Sequence, residues 1–121
     1  MIEPGRLFSA VAIALAMACS PGHGAEVQTY QGPRTVADAP AKIAVFDIAA
    51  IDTLTALGVN VDGVPSNLYI DALRERHTSA QTVGTLFEPD LEALNALAPD
   101  LIIVGGRSSG QITQTERVAP S

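Results

Sequence analysis

The feature that most constrains this fold is a four-residue apolar run, residues 101–104, that ends directly on two glycines. A second short run with β-branched character, residues 42–46, lies earlier in the chain, and helical patterns alternate with these runs. Such alternation is typical of a parallel sheet built from βαβ crossovers. The sequence therefore predicts an α/β fold, a Rossmann-like lobe with a mostly parallel sheet.

Two helices carry clear start and stop signals. Asp47 is a suitable N-cap for a helix that Gly58 would end. Its apolar positions recur at a helical spacing: Ile48, Ile51, Leu54 and Leu57. Residues 88–97 predict a second helix, with Pro89 in its first turn and Pro99 beyond its end.

Several stretches have weaker patterns. Residues 59–64 predict a short strand that Pro65 ends, residues 71–77 a short exposed helix, and residues 81–84 a third strand. A polar stretch containing Gly and Pro, residues 20–34, predicts no regular element. Residues 111–121 resemble the start of a helix that the chain ends before completing, so we expect an incomplete lobe.

The N-terminal segment has the pattern of an export signal. Residues 7–18 are almost continuously apolar, yet this run is too short to cross a bilayer. We assign residues 1–24 to a signal segment and residues 25–121 to the lobe. Cys19 closes the apolar run and is either a lipid-anchored N-terminus or part of a discarded peptide. Both alternatives place the protein outside the cytoplasm.

Composition excludes several classes of function. The chain is 47% hydrophobic and 17% charged, which suits a globular domain. Its net charge of -6, from 7 Lys and Arg against 13 Asp and Glu, opposes nucleic-acid binding. One cysteine and two histidines provide neither an internal disulfide nor a structural zinc site. We therefore expect no metal site, no cofactor and no nucleic-acid partner.

In doubly wound folds, ligands bind outside the carboxyl ends of the strands. The loops at these ends begin at Asp47, Pro65, Gly84 and Gly105. The last loop, residues 105–110, is the strongest candidate because it combines glycines with a guanidinium, Arg107. Its glycine spacing matches a phosphate-binding loop, but Gln111 and Ile112 replace the required lysine and hydroxyl.

The sequence provides no convincing catalytic group. Neither Ser108 nor Ser109 has a histidine partner, because His77 lies in a charged segment and His23 in the signal segment. The acidic residues mostly occupy helix caps and exposed faces. We predict that the protein is not an enzyme. A small α/β enzyme that uses residues 105–110 for a phosphorylated ligand remains an alternative.

Two blocks of the sequence resemble a known family. They are residues 42–58, KIAVFDIAAIDTLTALG, and residues 83–108, VGTLFEPDLEALNALAPDLIIVGGRS. Both are similar to iron-siderophore-binding proteins of the class III periplasmic binding family, which serve ABC importers. The two blocks span most of the chain that follows the signal segment, and the second is the more specific.

The resemblance implies a bilobal protein that holds a ferric siderophore in the cleft between two Rossmann-like lobes. This chain would form the first lobe and carry part of the site. Arg107 matches a cleft arginine that neutralises the anionic chelate, and Leu86 would form an apolar wall beside it. The remaining ligand-binding residues that we expect are Gly106, Ser108, Asn67, Tyr69 and Phe87.

The resemblance also implies a partner and a location. Glu92 matches an acidic residue that docks on the ABC permease in the inner membrane, and the protein would act in the periplasm. We expect a monomer whose membrane contact is through the permease or a lipid on Cys19. The alternatives are a protein of the same fold that binds cobalamin or haem, and a prematurely ended remnant without function.

Overall fold

The computed structural model describes residues 24–121. The proposed signal segment, Cys19 and His23 lie outside these residues. The described chain contains an N-terminal hairpin, β1 (Ala25–Thr29) and β2 (Gly32–Val36), followed by an α/β unit. The strands of that unit are β3 (Ile43–Val45), β4 (Gly63–Val64), β5 (Gln81–Thr82) and β6 (Leu101–Ile103). Its helices are α1 (Ile48–Ala56), α2 (Asp71–Arg76), α3 (Leu91–Leu97), a 3-10 helix (Gly106–Gln111) and α4 (Ile112–Thr115).

The four strands of the α/β unit form one parallel sheet in the order β5-β4-β3-β6. This confirms the predicted α/β fold with a parallel sheet. Both faces of β3 are covered because successive side chains of a strand point to opposite sides. Ile43 and Val45 pack with α1 and α2 on one face, whereas Ala44 and Phe46 pack with α3 on the other.

Most elements begin and end where local sequence signals place them. Asp47 caps α1 by accepting a hydrogen bond from the Ala50 amide at 2.8 Å, and Gly58 follows the helix with a φ of 72°. The left-handed conformation at Gly58 suits a residue without a Cβ. The strand predicted at residues 59–64 shortens to Gly63–Val64.

The prediction for Pro89 is wrong. Helix α3 begins at Leu91, because Asp90 is its N-cap and accepts a hydrogen bond from the Ala93 amide at 3.0 Å. Pro89 lies before the cap and forms an isolated antiparallel bridge with Gly84. The carboxylate, not the proline, therefore sets the start of this helix.

The hairpin and the C-terminal stretch also differ from expectation. Residues predicted to be irregular form β1 and β2, which pair antiparallel around a turn at Tyr30 and Gln31. The helix predicted to start at residue 111 is limited to the four-residue α4, which follows the 3-10 helix, and the chain then turns back to the sheet. There the Pro120 carbonyl accepts a hydrogen bond from the Ile102 amide at 2.9 Å.

Candidate functional site

The strand order creates a topological switch point between β3 and β6. From β3 the chain moves outward through β4 and β5, and it then crosses to the other side of β3 to form β6. The loops after β3 and after β6 consequently leave the sheet in opposite directions. In open α/β sheets, the crevice formed this way at the carboxyl ends is the usual place for a ligand.

A pocket lies at this switch point. Its cavity volume is about 410 Å³, within the usual range for small-molecule sites. It is lined by the residues that follow β3, by those that follow β6 and by one side chain from the loop after β5: Phe46, Asp47, Ile48, Ala49, Gly105, Gly106, Arg107 and Leu86. The loop that begins at Asp47 was among the strand-end loops predicted from the sequence, but none of residues 46–49 was predicted individually to bind a ligand.

Arg107 lines the pocket and is exposed. The ion pairs found within residues 24–121 involve two other arginines, Arg34 with Glu116 and Arg74 with Asp71. Within this range the guanidinium of Arg107 is therefore not neutralised by a carboxylate at ion-pair distance. A planar guanidinium in this state can donate several hydrogen bonds to the oxygens of an anionic ligand.

The loop that carries Arg107 is held by its own serine. The Ser108 hydroxyl donates to the Gly105 carbonyl at 3.0 Å and accepts from the Gly105 amide at 3.1 Å. Ser108 is fully buried. Its hydroxyl therefore stabilises the turn, and the expected contact of Ser108 with a ligand stays a prediction. Gly106 has a φ of 49°, a left-handed conformation that favours glycine, and it is exposed in the pocket.

Asp47 brings a negative charge next to this loop. Its Oδ1 atom caps α1, while Oδ2 would lie 3.4 Å from a Cβ built on Gly105 and 3.5 Å from one built on Gly106. The pocket thus has a cationic side at Arg107 and an acidic floor at Asp47. The sequence predicted Asp47 as an N-cap, but that prediction did not indicate that its Oδ2 atom would lie beside Gly105 and Gly106.

Asn67, Tyr69 and Phe87 lie at the same edge of the sheet as the pocket, in the loops after β4 and β5. Asn67 joins these loops, because its Nδ2 donates to the Tyr69 hydroxyl at 3.1 Å and its Oδ1 accepts from the Leu86 amide at 3.1 Å. Leu86 lines the pocket directly. Tyr69 and Phe87 are exposed and, like Asn67, are not among the residues that line the pocket.

Glu92 lies apart from the pocket. It is exposed in the first turn of α3, on the face of the sheet opposite to α1 and α2. Sequence reasoning placed it outside the ligand site as well, as a docking residue. Its neighbour Asp90 is engaged in capping, so Glu92 is the acidic side chain of the first turn.

Residues 24–121 contain no group of three or more His, Cys, Asp or Glu that could hold a metal ion. None of the helices in this part of the chain is long and apolar enough to cross a membrane. The loop after β6 coils into a 3-10 helix, whereas a phosphate-binding loop leads into a long α-helix.

Comparison with known proteins gives a consistent picture. The chain is 35% identical over 85 residues to the petrobactin-binding protein YclQ of Bacillus subtilis, covering 68% of this chain and 27% of that protein. It is 32% identical over 111 residues to the Fe(3+) dicitrate-binding periplasmic protein FecB of Escherichia coli, covering 88% of this chain and 37% of that protein. The chain thus spans about a third of the length of these relatives. No protein-family model matches the chain.

A solved structure has the same fold. The iron uptake ABC transporter substrate-binding protein PiuA of Streptococcus pneumoniae superposes with a TM-score of 0.73 at 33% identity. The superposition covers 81% of this chain and 35% of that protein. The matched part of PiuA therefore corresponds to most of the residues that the structure describes.

Proposed function

Because this chain is, over the part it spans, a member of the iron-siderophore-binding proteins of the class III periplasmic family, we propose that it forms one half of a cleft that captures a ferric siderophore. One observation carries the proposal: the pocket lies at the switch point between β3 and β6 and contains Arg107. That is the place where this architecture binds ligands.

The proposed ligand is iron that is already enclosed in an organic chelator. A ferric siderophore is a compact anion when the negative charges of its donor groups exceed the positive charge of the metal. The protein then needs cations and hydrogen-bond donors instead of metal ligands. Arg107 supplies both without competing for the iron. Gly106 supports the contact, since the absence of a side chain lets a bulky ligand approach the backbone.

In the whole protein, a second lobe would close over the chelate and supply the opposite side of the cleft. Affinity would then come from two surfaces that converge on one ligand, so this chain alone should bind weakly. No bond is made or broken, and the protein acts as a carrier. It would work in the periplasm as a monomer or, if Cys19 is acylated, at the outer face of the cytoplasmic membrane.

Delivery requires a partner in the membrane. We propose that Glu92 docks on a basic site of the ABC permease, with the charge exposed on α3 and away from the ligand pocket. This separation would allow the loaded protein to dock without obstructing its cargo. Exposed ion pairs of this kind contribute modestly each, and they affect the association rate more than the affinity.

Isothermal titration calorimetry of the full chain with ferric siderophores, and with the iron-free chelators, tests the ligand proposal. We expect weak, iron-dependent binding that falls about tenfold or more in Arg107→Ala, because a charge-assisted contact is lost. Arg107→Lys should retain part of the affinity, since lysine keeps the charge but lacks the fork. Arg117→Ala, which removes another exposed arginine, is the matched control.

Three results would contradict the proposal. Equal binding of wild type and Arg107→Ala would exclude the pocket as the site. Preferential binding of cobalamin or haem would assign the cleft to a macrocycle. Turnover of a phosphorylated compound would favour the enzyme alternative. Tight binding by this chain alone would contradict only the half-site interpretation.

A further inference from the structure

Arg107 belongs to a short helical segment that rests on the core along one stripe. The 3-10 helix, α4 and Glu116 follow one another without interruption, and we call residues 106–116 the C-terminal helical segment. Its buried residues recur at a helical spacing: Ser108, Ile112 and Thr115. Arg107 precedes the first of them by one position, so it lies to one side of the buried stripe, where it lines the pocket.

The hairpin contacts the other side of this segment at two points. Arg34 in β2 forms an ion pair with Glu116, with 3.0 Å between Nη2 and Oε1. The Tyr30 hydroxyl in the hairpin turn lies 3.5 Å from the Ser109 carbonyl oxygen. Ser109 and Glu116 each follow a buried residue by one position, whereas Arg107 precedes one. The hairpin and the pocket therefore lie on opposite sides of the buried stripe.

A continuous chain of polar side chains joins the two contacts. Arg34 also donates to Gln31 Oε1 at 3.3 Å, and Gln31 Nε2 donates to the Tyr30 hydroxyl at 3.1 Å. We call this chain the hairpin strap; it runs from Glu116 through the three hairpin residues to the Ser109 carbonyl. The strap thus connects two points of the C-terminal helical segment through a part of the chain that is remote in sequence.

The ion pair of the strap differs from the other ion pair of residues 24–121. Arg34 and Glu116 are 34% and 37% exposed and lie 82 positions apart, so they connect two separate parts of the chain. Arg74 and Asp71 are 60% and 80% exposed and lie within one helix, α2. Partial burial reduces the screening of a charge pair by solvent and salt. The strap pair is therefore the one that can restrain a segment.

We propose that Arg34 and Glu116 are positioning residues for Arg107, because their ion pair fixes the rotation of the C-terminal helical segment about its buried stripe. This inference rests on the proposed function. Neither residue lines the pocket, so both act through Arg107 and not on the ligand. A 3-10 helix has poorer hydrogen-bond geometry than an α-helix, so its orientation depends more on contacts from outside the segment.

Hydrogen exchange of the full chain without ligand tests the strap. The amides of Gly105 and Ser108 report on the loop, since both are hydrogen-bonded within it. We expect Glu116→Gln to accelerate their exchange about twofold to fivefold, the effect of losing a partly exposed ion pair. Combining Arg34→Glu with Glu116→Arg reverses the pair at constant net charge and should restore slow exchange. Asp71→Asn, which breaks the other ion pair, should have no effect on these amides.

Calorimetry of the full chain with a ferric tris-catecholate tests the effect on binding. Glu116→Gln should weaken binding about twofold to fivefold, and the reversed pair should restore it. Removal of a negative charge would by itself favour an anionic complex, so the expected change is opposite in sign to the simple electrostatic effect. In the Arg107→Ala background, Glu116→Gln should have no further effect, because Arg107 is the group through which it acts.

Three results would contradict the inference. Unchanged or tighter binding by Glu116→Gln, while Arg107→Ala still weakens binding, would overturn it and leave the proposed function intact. A loss of affinity from Glu116→Gln that persists in the Arg107→Ala background would do the same, since the residue would then not act through Arg107. Binding that Arg107→Ala does not weaken would overturn both the inference and the proposed function.

Discussion

Asp47 has two structural roles, because its two carboxylate oxygens face different elements. Oδ1 caps α1 through the Ala50 amide, and Oδ2 lies beside the loop that carries Arg107. Both elements border the pocket, so this side chain contributes to the shape of the site while it fixes the start of the helix. Its position follows from being the second residue after β3.

We expect Asp47→Ala to lower the free energy of unfolding by about 1 kcal/mol, the usual cost of losing an N-cap. Asp47→Asn should lower it by much less, because an asparagine oxygen can still accept from the Ala50 amide. Urea denaturation followed by circular dichroism measures both. Equal destabilisation by the two substitutions would show that the negative charge, and not the capping bond, provides the stability.

Gly84 is required by both its conformation and its surroundings. Its φ is 107°, and a Cβ would collide with the Glu88 carbonyl oxygen and the Asp90 amide nitrogen. We expect Gly84→Ala to lower the free energy of unfolding by more than about 3 kcal/mol, because the backbone would be strained and the new Cβ would overlap neighbouring backbone atoms. Gly58→Ala is the matched control, because its φ is 72° but nothing lies within 4 Å of the added carbon.

We expect Gly58→Ala to lower the free energy of unfolding by about 1 kcal/mol, because only the left-handed backbone conformation is unfavourable there. Thermal or urea unfolding of both variants gives the comparison. A Gly84→Ala variant no less stable than Gly58→Ala would mean that the loop between β5 and α3 can move away from the added carbon.

Local sequence signals were sufficient to predict the secondary-structure elements whose start and end are set by residues within or next to the element. The sequence predicted β3 and α1 correctly. Their signals lie within one short stretch of the chain: the apolar run of β3, the N-cap Asp47 and the helix stop at Gly58. The hairpin was missed although Val27 and Thr29 alternate with polar residues. Such alternation at every second residue is typical of a strand, but the nearby glycine and proline favoured a loop prediction.

The candidate site could be predicted only in part. Strand ends identify the loops, and a glycine-rich bend identifies the one that contains Arg107. The inward orientation of Ser108 depends on how the 3-10 helix coils, which no local pattern indicates. The Tyr30 hydroxyl contacts the Ser109 carbonyl, 79 positions away in the sequence. Only the folded chain brings these two residues together.

The loop after β6 should depend on the reciprocal bonds between Ser108 and Gly105. We expect Ser108→Ala to destabilise the protein by about 1 kcal/mol, because the part-buried Gly105 amide loses its acceptor, whereas the Gly105 carbonyl still accepts from the Ser108 amide. Ser109→Ala is the control, since Ser109 contributes its carbonyl, and not its hydroxyl, to the contact with Tyr30. Hydrogen exchange of the loop amides should accelerate in the first variant and not in the second.

Considered as a whole molecule, the described chain has a pocket with Arg107 and Asp47 at one edge of the sheet and an exposed glutamate, Glu92, on the helix α3. Other concavities of the described residues could compete for a ligand. One lies between the hairpin and β6 and is lined mostly by apolar groups, including Val27, Val36 and Ile103. Two more lie near α1 and α2, one around His77 and one around Asp52. None of these contains the strand ends of the switch point.

Nuclear magnetic resonance of the ¹⁵N-labelled full chain tests the position of the ligand site most directly. The ligand is a catecholate siderophore loaded with Ga(III), which replaces Fe(III) so that signals are not broadened by the metal. We predict that amide shifts concentrate in residues 46–49 and 105–107, with further changes at Tyr69 and Phe87. Shifts confined to the groove between the hairpin and β6, or to the surface around His77, would contradict the central claim.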